Sequence, residues 1–191
     1  MQHFAPFAFI DPTHGAIQVR PALRREIPEI SALIAEAIGA YRGHAPDAVL
    51  RPYIALSRDV AARWDHGKVL VALQYGRVVG TVTFYDDGSI VGLPSDWTSF
   101  GTLAVHPRMQ RRGIGSSLVR RCVAAATHVA PTIGIRSGRF MRDDRHLYES
   151  MGFVRSPEHD IHASEVIAIE PAKADVDLLA YRLDLDDAFS G

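Results

Sequence analysis

Apolar positions along this chain switch between a period near 3.6 and a period of two, and the switches divide it into helices and strands. Ile27, Ile30, Leu33, Ile34 and Ile38 share one helical face, so residues 23–38 read as an amphipathic helix. Residues 49–64 read as a second helix, interrupted early by Pro52, and residues 16–20 as a short strand ahead of both. β-Branched runs at 69–73 and 78–85 read as strands joined across Tyr75-Gly76-Arg77, followed by a polar loop at 86–96. A strand at 98–105, a helix at 114–128, a strand at 132–135 and a helix at 144–151 come next. Strand, helix, strand in that order is a βαβ unit, which makes its two strands parallel. Residues 179–185 alternate Leu179, Tyr181, Leu183 and Leu185 inward with Ala180, Arg182 and Asp184 outward, the pattern of a closing strand. Residues 164–169 have the composition of one extra strand.

Composition narrows the picture. With 191 residues and 47% hydrophobic content the chain can bury one good core, so residues 16–191 are expected to form a single domain behind an N-terminal extension at 1–15. A formal net charge of −1 supplies no bulk positive field for nucleic acid or an anionic membrane. The first ten residues are apolar, but they lack a basic start and Asp11-Pro12 follows them; they are a poor secretion signal and too short to span a bilayer, so a cytoplasmic location is expected. The one cysteine, Cys122, falls in a helical apolar pattern with Leu118 and Ala126, as a core thiol would. Nine histidines include one dense cluster, Glu158-His159-Asp160-Ile161-His162, which lacks a helical metal-ligand spacing and follows Pro157, so no metal is expected.

The chemistry concentrates at residues 102–119. An apolar strand, a proline turn, Arg111-Arg112 and the pair Gly113 and Gly115 stand directly ahead of a helix. A helix N-terminus carries unpaired N–H donors and partial positive charge, glycines let backbone approach a ligand, and the arginines add full charges. The segment can therefore cradle a pyrophosphate. A dinucleotide-binding loop would need a third glycine where Leu118 stands, and a triphosphatase loop would need a Gly-Lys-Ser or Gly-Lys-Thr end that this chain lacks. Taken alone, Gly-Ile-Gly also fits a solvated turn that merely starts a helix.

The whole stretch is more specific than its glycines. Gln110-Arg111-Arg112-Gly113-Ile114-Gly115 resembles the Gln/Arg-x-x-Gly-x-Gly/Ala coenzyme A signature of the GNAT acetyltransferase superfamily, and Leu103-Ala104-Val105-His106-Pro107 resembles the strand before it. Downstream, Leu147-Tyr148-Glu149-Ser150-Met151-Gly152-Phe153 is similar to the family's second landmark, a tyrosine-bearing helix ending in Gly-Phe. The resemblance implies an α/β (α+β) fold: a central mixed, mostly antiparallel sheet with a parallel pair at the coenzyme cleft, flanked by helices. It implies acetyl-CoA as co-substrate, held by Leu103, Ala104, Val105, Gln110, Arg111, Arg112, Gly113, Ile114, Gly115 and Ser116.

The implied activity is transfer of an acetyl group to a primary amine by direct attack in a ternary complex, the acceptor being a small-molecule, peptide or protein amine. Homodimerisation is a further family expectation, and nucleic acid and membrane are not expected partners. An amine of pKa ~10 must lose a proton before attack, and a thiolate whose thiol has a pKa of roughly 8.5 benefits from a proton donor. Tyr148 matches the family tyrosine beside the sulfur, the expected acid. The base is less defined, because Thr98-Ser99-Phe100-Gly101-Thr102 holds no carboxylate where relatives often carry glutamate; Asp96 at the start of the strand is the candidate, with Asp86, Asp87 and His106 nearby. Met141 stands where many relatives have a coenzyme-contacting asparagine, which Arg142 or Arg145 could offset. These two departures keep a second reading open, an acyl-CoA-binding or sensor protein with little turnover. Arg155, Glu158 and Asp160, in a long polar connection, are expected to help select the acceptor.

Overall fold

The computed structural model describes residues 7–11, 15–169 and 175–185. Strands β1 (Phe7–Asp11), β2 (Gly15–Pro21), β3 (Lys68–Gln74), β4 (Arg77–Tyr85) and β5 (Thr98–Val105) run antiparallel in chain order. Helices α1 (Ile27–Gly39), α2 (Asp47–Arg58) and the one-turn α3 (Val60–Arg63) connect β2 to β3. Beyond β5, helix α4 (Ile114–Ala126) leads to β6 (Thr132–Gly138), and α5 (Arg142–Ser150) is followed by β7 (Val154–Arg155), β8 (Ile161–His162) and β9 (Asp177–Asp184). The nine-stranded sheet has the order β1-β2-β3-β4-β5-β6-β9-β7, with β8 also paired to β9. Its parallel contact is β5 with β6, as a βαβ crossover requires.

Both faces of the sheet are covered, and β3 shows why the strands are nearly all apolar. Val69, Val71 and Leu73 face α1, where Ile30, Leu33, Ile34 and Ile38 form the helical stripe expected from the sequence. Leu70 and Ala72 point the other way, against Leu118, Val119 and Cys122 of α4. Cys122 is buried, with its thiol pushed far above its ordinary range by desolvation, which suits a core residue and not a nucleophile.

Four expectations need correction. Pro52 does not interrupt α2: the helix runs through it and breaks at Asp59, whose Oδ1 accepts from the Ala62 N–H at 3.1 Å and starts α3. Pro52 frees only the Ala48 carbonyl, and Ala48 is exposed, so water can satisfy it. Residues 164–169 form no strand; a short 3-10 turn at 163–165 stands there instead. Ala180 is fully buried although it alternates with the inward leucines, because Leu93 and Trp97 from the loop after β4 fold over that face. Gly134 makes room for them, since a Cβ there would meet Leu93 at 2.8 Å and Trp97 at 2.9 Å. Arg136 pins this covering loop by donating to the Gly92 and His159 carbonyls, each at 2.8 Å, and to that of Val91.

The fourth correction is to Arg155, Glu158 and Asp160, which staple β7 and the turn after it onto β9. Arg155 forms a bidentate pair with Asp160 at 2.8 and 2.7 Å, and Asp160 Oδ1 accepts from the Ala180 N–H at 2.7 Å. Glu158 accepts from Ser156 Oγ at 2.8 Å. All three are thus engaged in contacts within the fold.

One close approach fixes the position of α4. A Cβ on Gly80 of β4 would stand 2.9 Å from Ile114 Cγ2 and 3.1 Å from Leu118 Cδ1. Gly80→Ala should therefore lower stability by about 1–3 kcal/mol, read as an earlier midpoint in urea denaturation, because the first turn of α4 must shift to admit the methyl group.

Candidate active site

The cleft begins where two strands part. β5 and β6 pair only at Thr98↔Ile133 and Ser99↔Gly134, after which β5 carries one residue more than β4 can match. The register passes from Thr83↔Gly101 to Thr81↔Ala104, and within this bulge Thr102 takes φ 51°, a left-handed conformation that a β-branched residue rarely adopts. Backbone strain of this kind concentrates at functional sites. The bulge turns residues 102–105 away from β6 and opens a cleft of about 1090 Å³. It runs through the sheet, so Tyr41, in the turn after α1, and Tyr148 of α5, on opposite faces, both line it.

At one end stands the cradle. Gly113 is the N-cap of α4 with φ 76° and ψ 2°, and the first helical bond runs from the Ser117 N–H to the Gly113 carbonyl at 3.0 Å. The N–H groups of the first turn are thus left for a ligand. Arg111, two residues earlier, is also left-handed at φ 63°. Left-handed residues spaced in this way make a concave nest of N–H groups, and the helix dipole adds positive potential to it. Gly115 lies against α5, where a Cβ would meet Leu147 Cδ2 at 3.2 Å.

The structure gathers most of the residues picked from sequence. Leu103, Ala104, Val105, Gln110, Arg111, Gly113, Ile114, Gly115, Ser116 and Tyr148 all line the cleft, whereas Arg112 does not. Gln110 Nε2 reaches back to the Val105 carbonyl at 3.3 Å and ties the turn to β5. Asp96 is exposed ahead of β5 and outside the cleft lining. The other acids and the histidine near β5 have local duties: Asp86 pairs with Lys68 at 2.6 Å, Asp87 caps the Ser89 N–H at 2.8 Å, and His106 Nδ1 accepts from the Arg108 N–H at 3.2 Å. Arg142 and the buried Met141 line the wall; Arg145 instead donates to the Arg139 carbonyl at 3.1 Å.

Tyr148 is 3% exposed and packs edge-on to Phe100 at 5.7 Å, with Phe153 and Tyr181 completing the cluster. Burial first, and then the Asp144 carboxylate, hold its phenol well above the ordinary range. The hydroxyl is therefore protonated at neutral pH, and among the described residues no hydrogen bond occupies it. Sequence reasoning missed Asp144. It lines the same cleft, accepts from Tyr41 Oη at 3.3 Å, and has its carboxyl pushed up to about 6, chiefly by desolvation. Its partner Tyr41 is 103 positions away, so no local pattern could have marked it.

Comparison with known proteins agrees with this geometry. Residues 65–155 match the acetyltransferase (GNAT) domain family, a span that runs from before β3 to β7 and includes cradle, bulge and Tyr148. The chain carries a GNAT domain. Its fold is similar to an N-acetyltransferase from Staphylococcus aureus Mu50 at 20% identity and TM-score 0.62, covering 88% of this chain and 98% of that one. It is also similar to the PaiA N-acetyltransferase of Thermoplasma acidophilum, solved with coenzyme A, at 11% identity and TM-score 0.65, covering 88% and 98%. A third likeness is yncA of Salmonella typhimurium, solved with its cofactor acetyl-CoA, at 21% identity and TM-score 0.61, covering 89% and 94%. No curated protein matches by sequence. Among the described residues no helix is long and apolar enough to cross a membrane, and no group of three metal-ligating side chains occurs.

The cradle's backbone yields a stability test. Gly113→Ala forces a Cβ into a left-handed N-cap and should cost about 1–2 kcal/mol. Arg111→Ala removes an exposed side chain whose pair with Asp143, at 3.7 Å, is solvent-screened, so its denaturation midpoint should stay within about 0.5 kcal/mol of wild type.

Proposed function

We propose that this protein is an acetyl-CoA-dependent N-acetyltransferase that moves the acetyl group to a primary amine by direct attack in a ternary complex. One observation carries the reading: a helix N-terminal nest, an unpaired strand edge and a protonated tyrosine open into a single cleft. A pyrophosphate needs N–H donors and positive potential, and residues 111–116 offer both. An amide-bearing pantetheine arm needs a strand edge, and residues 102–105 offer one. The thioester, when bound, supplies an activated acetyl group and a thiolate leaving group. GNAT relatives hold coenzyme A or acetyl-CoA, so the fit of this chain's own residues extends a property of its neighbours.

The residues then divide the work. The cradle and Gln110 fix the donor at one end, and the bulge at Thr102 leaves residues 102–105 unpaired to β6, where the pantetheine arm can add as a strand. Tyr148 donates a proton, or a hydrogen bond, to sulfur as the C–S bond breaks. Its packing in an aromatic cluster keeps the hydroxyl oriented. An exposed carboxylate such as Asp96 could act only through a water relay. The reading includes a cytoplasmic setting and one domain, which the pairing of β1 with β2 carries back from residue 16 to Phe7.

Tyr148→Phe keeps the ring and removes the donor. Release of free thiol should fall by about 10²- to 10⁴-fold with acetyl-CoA affinity and melting temperature unchanged. A variant that turns over like wild type at neutral pH, with chemistry rate-limiting, would exclude this role for Tyr148. Binding of acetyl-CoA by the wild type without amine-dependent thiol release would instead identify a sensor.

A further inference from the structure

We propose that Asp144 is the base that takes the acceptor's proton, and that the acceptor is accordingly a cationic primary amine on an apolar body. The proposal rests on the acetyltransferase reading and adds to it both the missing base and a substrate class. Asp144 and Tyr148 stand one helical turn apart on the same face of α5, and both line the cleft. The carboxylate reaches Tyr41 from the opposite face of the sheet, the side the proposal gives to the acceptor, while the phenol serves the sulfur.

The surroundings of Asp144 want a cation. Tyr41, in the turn after α1, donates to Oδ2 at 3.3 Å and packs edge-on to Phe140 at 5.6 Å; Tyr53 from α2 closes the same end of the cleft. The charged and titratable groups facing Asp144 are Tyr41, Tyr53, His44, Asp143 and Tyr148, with Arg139 and Arg142 farther along the wall. Among the described residues no cation pairs with it. Burial raises the phenols of Tyr41 and Tyr53 above their ordinary range, so both stay neutral. A partly buried carboxylate among neutral hydroxyls and aromatic rings gains most from an ammonium, which rings also attract through their faces. A carboxylate at the third residue of a helix can instead serve as a cap, but Asp144 spends its hydrogen bond on Tyr41 and none on the N–H groups of α5.

The proton balance closes. Bound as an ammonium, the acceptor gives one proton to Asp144 and becomes nucleophilic; the C–N bond forms at the acetyl carbon and the C–S bond breaks. The second proton that nitrogen loses on becoming an amide balances the thiolate, delivered through Tyr148. Asp144 then returns its own proton to water.

The test uses the full chain with phenylethylamine and cadaverine as cationic probes and glutamate as an amine carrying carboxylates. Wild type should release thiol with the first two in preference to glutamate, and kcat/KM should rise with pH through about 6, where Asp144 ionises. Asp144→Asn should lose about 10²- to 10⁴-fold in kcat/KM together with that limb, while acetyl-CoA affinity by calorimetry is kept. The carboxyl's pKa is raised by folding, so its ionisation costs stability above about pH 6 and nothing below about pH 4. Asp144→Asn should therefore melt higher than wild type near neutrality, the difference fading toward pH ~4; a capping or purely structural role would make it melt lower. An Asp144→Asn protein that keeps the turnover and pH limb of wild type overturns the proposal and leaves the acetyltransferase reading standing. Acetyl-CoA binding without thiol release on any probe overturns both, and preference for glutamate overturns the substrate class. If the variant does not fold, a flat wild-type kcat/KM between pH ~5 and ~7 overturns the role of Asp144 by itself.

Discussion

The partial pairing of two parallel strands is the constraint on which the rest of this molecule depends. Two residue pairs hold β5 to β6 before the bulge at Thr102 turns β5 away. Backbone left unpaired by the split must find its partners in solvent or in a ligand. The same divergence leaves the N-terminus of α4 at the mouth of the opening, with its first-turn N–H donors free of helical partners. Strand edge and helix end thus lie a few residues apart, and under the proposed function an extended ligand with a phosphate at one end meets both.

The split also decides which side chains can meet. An intact sheet would keep α1 and α5 on opposite faces with a strand layer between them. Here Tyr41 and Asp144 hydrogen-bond through the gap, and the polar chemistry of both faces converges in one cleft. Its dielectric environment raises Tyr148 and Asp144 together, and each is then suited to a different half of a proton exchange. Elsewhere the polar groups serve the fold. Arg136 and the Arg155–Asp160 pair hold loops against β6 and β9, where partial burial and several bonds per side chain make them worth more than the exposed Arg111–Asp143 contact.

Local signals in the sequence determined the order of elements, the parallel βαβ unit and the cradle, because each rests on neighbours within a few turns of chain. Gly113 and Gly115 mark the nest through their own backbone freedom, and the α1 stripe follows from spacing alone. Tyr148 could be found because Gly-Phe follows it at a fixed distance. What depends on distant partners was decided only in three dimensions. Ala180 is covered by Trp97, which no strand alternation can reveal, and Arg155 and Asp160 are committed to β9 before any ligand could use them. Asp144 has no sequence signature of its own; burial, and after it the charge of Asp143, raise its carboxyl against the opposing hydrogen bond from Tyr41, 103 residues away, and burial of that kind is set by the whole fold. Periodicity reports which way a side chain points, whereas its protonation depends on what the whole fold brings against it.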